Sequence, residues 1–193
     1  MDMLKKASRR AGILIALFML GTSASGMAAP SADAGYPIQV KEVGMPNPMV
    51  AYSSLAEVQV QLGFRPLTIA RAVGYECSAL SVIDGVMANL DYTALPVAKD
   101  ANSTFCVRSA ELAKVADLKG DISGVYSVTW EKKKIGQSTV YFAKISDTSF
   151  VVHWTRGKYA FSALGSGIGK EAFLTVVRDN LVPESEIDYS ALD

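Results

Sequence analysis

The chain has 193 residues, half of them hydrophobic, and equal numbers of basic and acidic side chains, 19 of each. That balance excludes a nucleic-acid-binding protein built on clustered positive charge. The length suits one domain with a real core.

The charge is uneven along the chain. Lys5, Lys6, Arg9 and Arg10 form a basic start, and residues 11–20 are an apolar run. That run falls inside the ~7–15 residues of a signal-peptide core and short of the roughly 20 needed to span a bilayer. Small residues fill 21–29, with cleavage expected at Ala24-Ser25-Gly26 or Met27-Ala28-Ala29. We read 1–29 as a signal peptide, against the alternative of an uncleaved anchor. The mature chain is then exported, periplasmic or extracellular, with no stable membrane span left after cleavage. No cysteine lies near the cleavage region, which argues against a lipid anchor. Removing four of the 19 basic residues and one of the 19 acidic leaves a net charge of about −3.

Residues 30–46 are rich in Pro, Gly, Ala and Ser and read as an extended linker. Residues 47–181 read as a single domain. A helix is expected over 54–62. Ser54 and Glu57 have capping-box spacing, Leu55, Val58 and Leu62 share a face, and Gly63 supplies the left-handed stop before Pro66. Residues 67–72 read as a short strand or an extended link. Strands follow over 75–83 and 86–92, joined by Asp84-Gly85, a strong hairpin signal. Another strand covers 104–108, with Cys106 and Arg108 on one face and Phe105 and Val107 on the other. Residues 111–119 read as weak helix or loop.

The stretch 121–164 reads as four strands in succession. Tyr126, Val128 and Trp130 alternate with polar neighbours. Val140 with Phe142, Phe150 with Val152 and Trp154, and Tyr159 with Phe161 repeat the pattern. The run Lys132-Lys133-Lys134 is expected near a hairpin tip. A second helix is predicted over 170–180, with Ile168 and Phe173 at hydrophobic-staple positions. The segment 182–193, carrying Glu184, Glu186, Asp188 and Asp193, reads as a solvated acidic tail. The fold class is therefore α+β: a twisted antiparallel sheet of about six to seven strands in meander order, with two helices packed on it.

Cys77 and Cys106 are the only cysteines. An exported chain permits a disulfide. If one strand separates theirs, however, the Cα atoms lie roughly 9–10 Å apart, and a bridge needs less than about 7 Å. The two are either bridged or small buried thiols. Neither is expected to be a nucleophile, although Arg108 on the same face as Cys106 would favour a thiolate.

Tyr126, Trp130, Trp154 and Tyr159 are the candidate binding-surface aromatics; the plainer reading is cross-strand core packing. Arg108 and Asp121 are expected to form a charge-assisted pair, as a structural clamp or an anion site. His153, the only histidine, faces opposite Trp154 and reads as a rim residue without metal or triad partners. Gly165-Ser-Gly-Ile-Gly-Lys170 lacks phosphate-loop spacing. No catalytic, cofactor or metal site emerges, and no cofactor is expected.

Asn47-Pro48, Tyr52-Ser53-Ser54-Leu55, Gly63-Phe64, Gly74-Tyr75 and Ser81-Val82-Ile83-Asp84-Gly85 resemble the first half of an uncharacterised family of bacterial exported domains. Asp121-Ile122-Ser123-Gly124-Val125-Tyr126 and residues 154–162 resemble its second half. Many members look like secreted lipoproteins, and similar domains accompany anti-sigma-factor-like proteins. The resemblance implies an α+β domain outside the cytoplasm and carries no catalytic residues. The expected function is a non-enzymatic binding or protein-interaction domain of the cell envelope. Its partner would be an envelope protein or an apolar ligand, not nucleic acid. The alternatives are an exported hydrolase using carboxylates, with Asp84, Asp91 and Asp121 as candidates, and a purely structural envelope protein.

Overall fold

The computed structural model describes residues 48–96 and 101–189. The expected leader and linker, and the end of the acidic segment, lie outside these residues. The described chain forms one antiparallel sheet of eight strands. They are β1 (Met49–Tyr52), β2 (Tyr75–Ile83), β3 (Met87–Ala94), β4 (Thr104–Glu111), β5 (Glu131–Ile135), β6 (Ser138–Ser146), β7 (Ser149–Arg156) and β8 (Tyr159–Ser166). Their spatial order is β1-β2-β3-β4-β8-β7-β6-β5. Two four-stranded meanders thus meet where β4 pairs with β8. The α+β class holds, with eight strands rather than six or seven, because 49–52 pairs as an edge strand.

The turn chemistry follows from the sequence. Asp84 and Gly85 take φ values of 51° and 71°, the left-handed pair of a tight turn closed by Val86 N–H to the Ile83 carbonyl, in a three-residue connection between the paired Ile83 and Met87. The helix α1 (Leu55–Leu62) starts at Ser54, whose hydroxyl accepts from the Glu57 N–H, and ends at Gly63 with φ 80°. Glu57 reaches back one residue further than a capping box predicts, accepting from the Ser53 N–H at 3.0 Å. Residues 67–70 run as an extended link, held by Leu67 N–H to Ser109 Oγ and Ile69 N–H to the Tyr92 hydroxyl.

One sheet face is covered by helices. Val58 and Leu62 of α1 share a core with Leu90, Phe105, Phe142, Phe150, Trp154 and Phe161. The second helix is α2 (Lys170–Val176), a π-helical turn over Val177–Leu181, and α3 (Val182–Asp188). Ile168 and Phe173 are both fully buried, as a staple requires. Phe173 stacks on Phe105 with centroids 5.5 Å apart.

Two expectations fail here. The helix does not stop at Asn180, and 182–189 is not a solvated tail. Pro183 lacks an N–H, and in a regular helix its ring clashes with the carbonyl four residues back; the wider π turn lets the helix pass it. Val182, Ser185 and Tyr189 are buried. Trp154 Nε1 donates to Ser185 Oγ at 3.0 Å, and Ser185 donates to the Val182 carbonyl. Glu186 accepts from Gln137 N–H and Ser138 Oγ, both at 2.8 Å, holding the β5–β6 turn. Glu186 is thus a partner for the sheet, and Glu184 for the extended link through Thr68 and Arg65.

The first strand of the expected 121–164 meander also shifts. Residues 121–130 are irregular and β5 begins at Glu131. Gly124 and Ser127 sit at φ 70° and 61°, which breaks an extended run. The three lysines therefore lie within β5 instead of at its tip.

Candidate functional site

The sheet's other face carries a polar row fixed by register. Ser81, Asn89, Arg108, Ser162, His153, Tyr141 and Lys132 are successive cross-strand partners from β2 to β5. Polar residues recur because this face is only partly covered. Its cover is the segment between β4 and β5, pinned by Val115 and Ile122, which pack with Met87, Ala110 and Ala160 in a small separate apolar cluster.

Arg108 is the centre of this arrangement. Its Nε donates to Asn89 Oδ1 at 2.9 Å, and its Nη1 to the Ser123 and Ile122 carbonyls at 2.9 and 3.3 Å. Asn89, 3% exposed, donates in turn to Ser81 and Asp91. The expected Arg108–Asp121 pair does not form. Asp121 spends its carboxylate on its own turn, accepting from the Ser123 N–H and hydroxyl at 3.0 and 2.6 Å. Arg108 instead satisfies two main-chain carbonyls that the turn leaves without partners. Gly124 lies flat against the guanidinium: a Cβ there would sit 2.7 Å from Nη1.

Beside Arg108 the segment leaves a groove of about 390 Å³. Ile83, Met87, Leu118, Ile122 and Val125 give it apolar walls, and Asp117, Asp121 and Tyr126 also line it. Tyr126 is 81% exposed. The four candidate aromatics therefore divide. Trp154 and Tyr159 are core residues, 1% and 2% exposed, as the plainer reading had it. Tyr126 stands at the groove, and Trp130 lies against His153 on the same sheet face, centroids 4.6 Å apart and edge-on.

Sequence reasoning missed Tyr141, which stacks on His153 at 4.9 Å. His153 is half-buried, not a free rim residue. Burial lowers its pKa, and the Asp121 carboxylate and Gly120 carbonyl offset this only in part. The cross-strand register would have found the group; alternation alone gives the face but not the neighbour.

The cysteines are both free. Cys77 pairs with Tyr92 and Cys106 with Asp91. Tyr92 and Asp91 are consecutive on β3 and point to opposite faces. The two thiols are therefore separated by a strand and by the sheet itself, and the bridged reading is withdrawn. Cys77 is also exposed, contrary to the expectation of burial. Cys106 donates to Asn89 Oδ1 at 3.1 Å. Burial pushes its thiol up to about 11, outweighing the pull of Arg108, so it is a poor nucleophile.

Ser162, His153 and Asp121 gather in one region, yet Ser162 is 2% exposed and no hydrogen bond joins it to His153. Of the three candidate carboxylates only Asp121 lines the groove, where Asp117 joins it. Among the described residues no group of three or more His, Cys, Asp or Glu is placed to hold a metal ion, and no helix is long and apolar enough to cross a membrane.

No family model, curated protein or solved structure matches this chain. The resemblance to exported bacterial domains rests on the motifs quoted above.

Proposed function

We propose that this chain is an exported, non-enzymatic interaction domain of the cell envelope, and that it engages a partner protein through the groove beside Arg108. The observation that carries this reading is Tyr126, a large aromatic 81% exposed in the lining of a largely apolar groove that Arg108 also lines. Tyr, Trp and Arg are the side chains that dominate binding energy at protein interfaces. Two network-held carbonyls fix Arg108 in place, so little side-chain freedom is lost on binding. The leader pattern supports export, and N-terminal sequencing from the native host should find a mature start shortly after Ala29.

Photo-crosslinking tests the surface. A benzophenone side chain at Tyr126 should capture one discrete partner in intact cells, and the same group at Val60, on α1, should not. Equal capture at both positions refutes the reading.

The second reading, a carboxylate hydrolase, is favoured by one observation: Asp117 and Asp121 line the same groove. Turnover of an ester, peptide, glycan or phosphoester by purified protein, abolished by Asp117→Asn or Asp121→Asn, would establish it in place of the first.

A further inference from the structure

A second cavity, of about 280 Å³, lies on the helix-covered face, between α1 and a break in the β2–β3 register. Cys77 opposes Tyr92 and Ala79 opposes Asp91, so Ser78 is an extra residue on β2. Such a bulge bends its strand and opens the ladder. Tyr52, Leu55, Leu80 and Tyr92 supply the apolar walls, and the exposed Cys77 is also part of the lining. None of the nine lining residues is a Lys, Arg, His, Asp or Glu. An ionised ligand would find no counter-charge there, and burying one unpaired is costly.

The polar hydrogens of the lining are mostly committed. Ser53 donates to the Glu57 carboxylate, Thr68 to Glu184, Ser78 to the Asp91 carbonyl, and the Cys77 thiol to the Ala79 carbonyl. Tyr92 differs. Its hydroxyl, on a residue 3% exposed, accepts from the Ile69 N–H at 3.2 Å, and its own hydrogen has no acceptor among the described residues. A hydroxyl has one hydrogen to give, and a buried one is ordinarily used. Size sets the other limit. An apolar cavity of about 150 Å³ takes benzene, so this one has room for a ring with a substituent or a short acyl chain.

We propose that this cavity binds a small, uncharged, largely apolar molecule whose single hydrogen-bond acceptor, a carbonyl oxygen of the ester or ketone type, receives the Tyr92 hydroxyl. The site lies on the opposite sheet face from the groove and stands whether or not that groove docks a protein.

Cys77 provides the readout. Its alkylation by iodoacetamide in the full chain is followed by peptide mass at increasing methyl benzoate, benzoate or toluene, with Cys106 as internal control on the other face. Methyl benzoate should slow Cys77 alone. Toluene, which lacks the acceptor, should bind roughly fivefold more weakly, the weight of one neutral hydrogen bond. Benzoate should give no protection over the same range. Tyr92→Phe should lower the ester's affinity to that of toluene and leave toluene's unchanged. Equal affinities for ester and toluene in the native chain, protection by benzoate, or no protection at millimolar ester would each overturn the proposal.

Discussion

Trp154 shows how much one side chain can hold. Its ring packs on Phe161 at 5.5 Å, and its indole N–H reaches across to Ser185 on the last helix. Trp154→Ala removes the ring, leaves a void and strips Ser185 of its donor, so a loss of about 3–5 kcal/mol is expected. Ser54→Ala removes one cap and should cost about 1 kcal/mol. Denaturant midpoints of the two variants should rank in that order. Gly124 is a different kind of single-residue constraint. Alanine there meets both φ +70° and the Arg108 guanidinium. The backbone alone costs about 1–2 kcal/mol, and Arg108 must move as well. Gly124→Ala should therefore lower the melting temperature and weaken crosslinking through Tyr126 together.

Titration belongs to the same scale. The folded protein depresses the pKa of His153 by burial, and an unfolded imidazole titrates near 6.5. Below that pH the unfolded chain takes up a proton that the folded chain resists, so stability falls as pH falls. Cys106 works at the other end. Its thiol stays protonated in the fold to about 11, whereas an unfolded thiol ionises near 8.5. Stability therefore falls as pH rises between those values; Tyr92, raised by burial too, carries the loss further. Urea midpoints measured from pH 5 to 10 should show both limbs. His153→Asn should flatten the acid limb only, and Cys106→Ala should reduce the alkaline one only.

At the level of elements, legibility tracked locality. The Asp84-Gly85 hairpin, the Ser54 cap, the Gly63 stop and the Ile168–Phe173 staple each depend on residues a few positions apart, and each stands in the fold. Residues 126–130 misled because alternation without a paired neighbour is not a strand; two left-handed residues bend that segment away from the ladder. The last helix misled for the opposite reason. Its acidic composition suggested solvent, but Glu184 and Glu186 find partners 116 and 49 residues distant in sequence, which no local pattern can reveal. The Arg108 network and the groove are long-range in the same way: alternation gave Cys106 and Arg108 a common face, but not Asn89 or the Ser123 carbonyl. A direct consequence is that 182–189 is structural. Truncation after Leu181 should destabilise the domain markedly, with cooperative unfolding at clearly lower urea than the full chain. If the midpoint does not move, the helix is a passenger.

At the level of the molecule, the central pairing of β4 with β8 joins residues far apart in sequence, from Thr104↔Ser166 to Glu111↔Tyr159. Every other strand pair is a hairpin or, for β1 with β2, spans only the first helix and link. Time therefore enters the architecture. During synthesis the N-terminal meander can assemble while β8 is still unmade, leaving the backbone of β4, with Phe105 and Val107 beside it, as an open edge. Such an edge invites pairing with another chain, and closing a long loop is slow relative to local hairpins. The seam should thus be the last and rate-limiting step of folding. Val107→Ala and Ala163→Gly, which face each other across it, should therefore slow refolding more than they speed unfolding; the opposite partition would place seam closure after the barrier and overturn this reading. Stopped-flow chevrons distinguish the two. This edge is where a chaperone has most to protect.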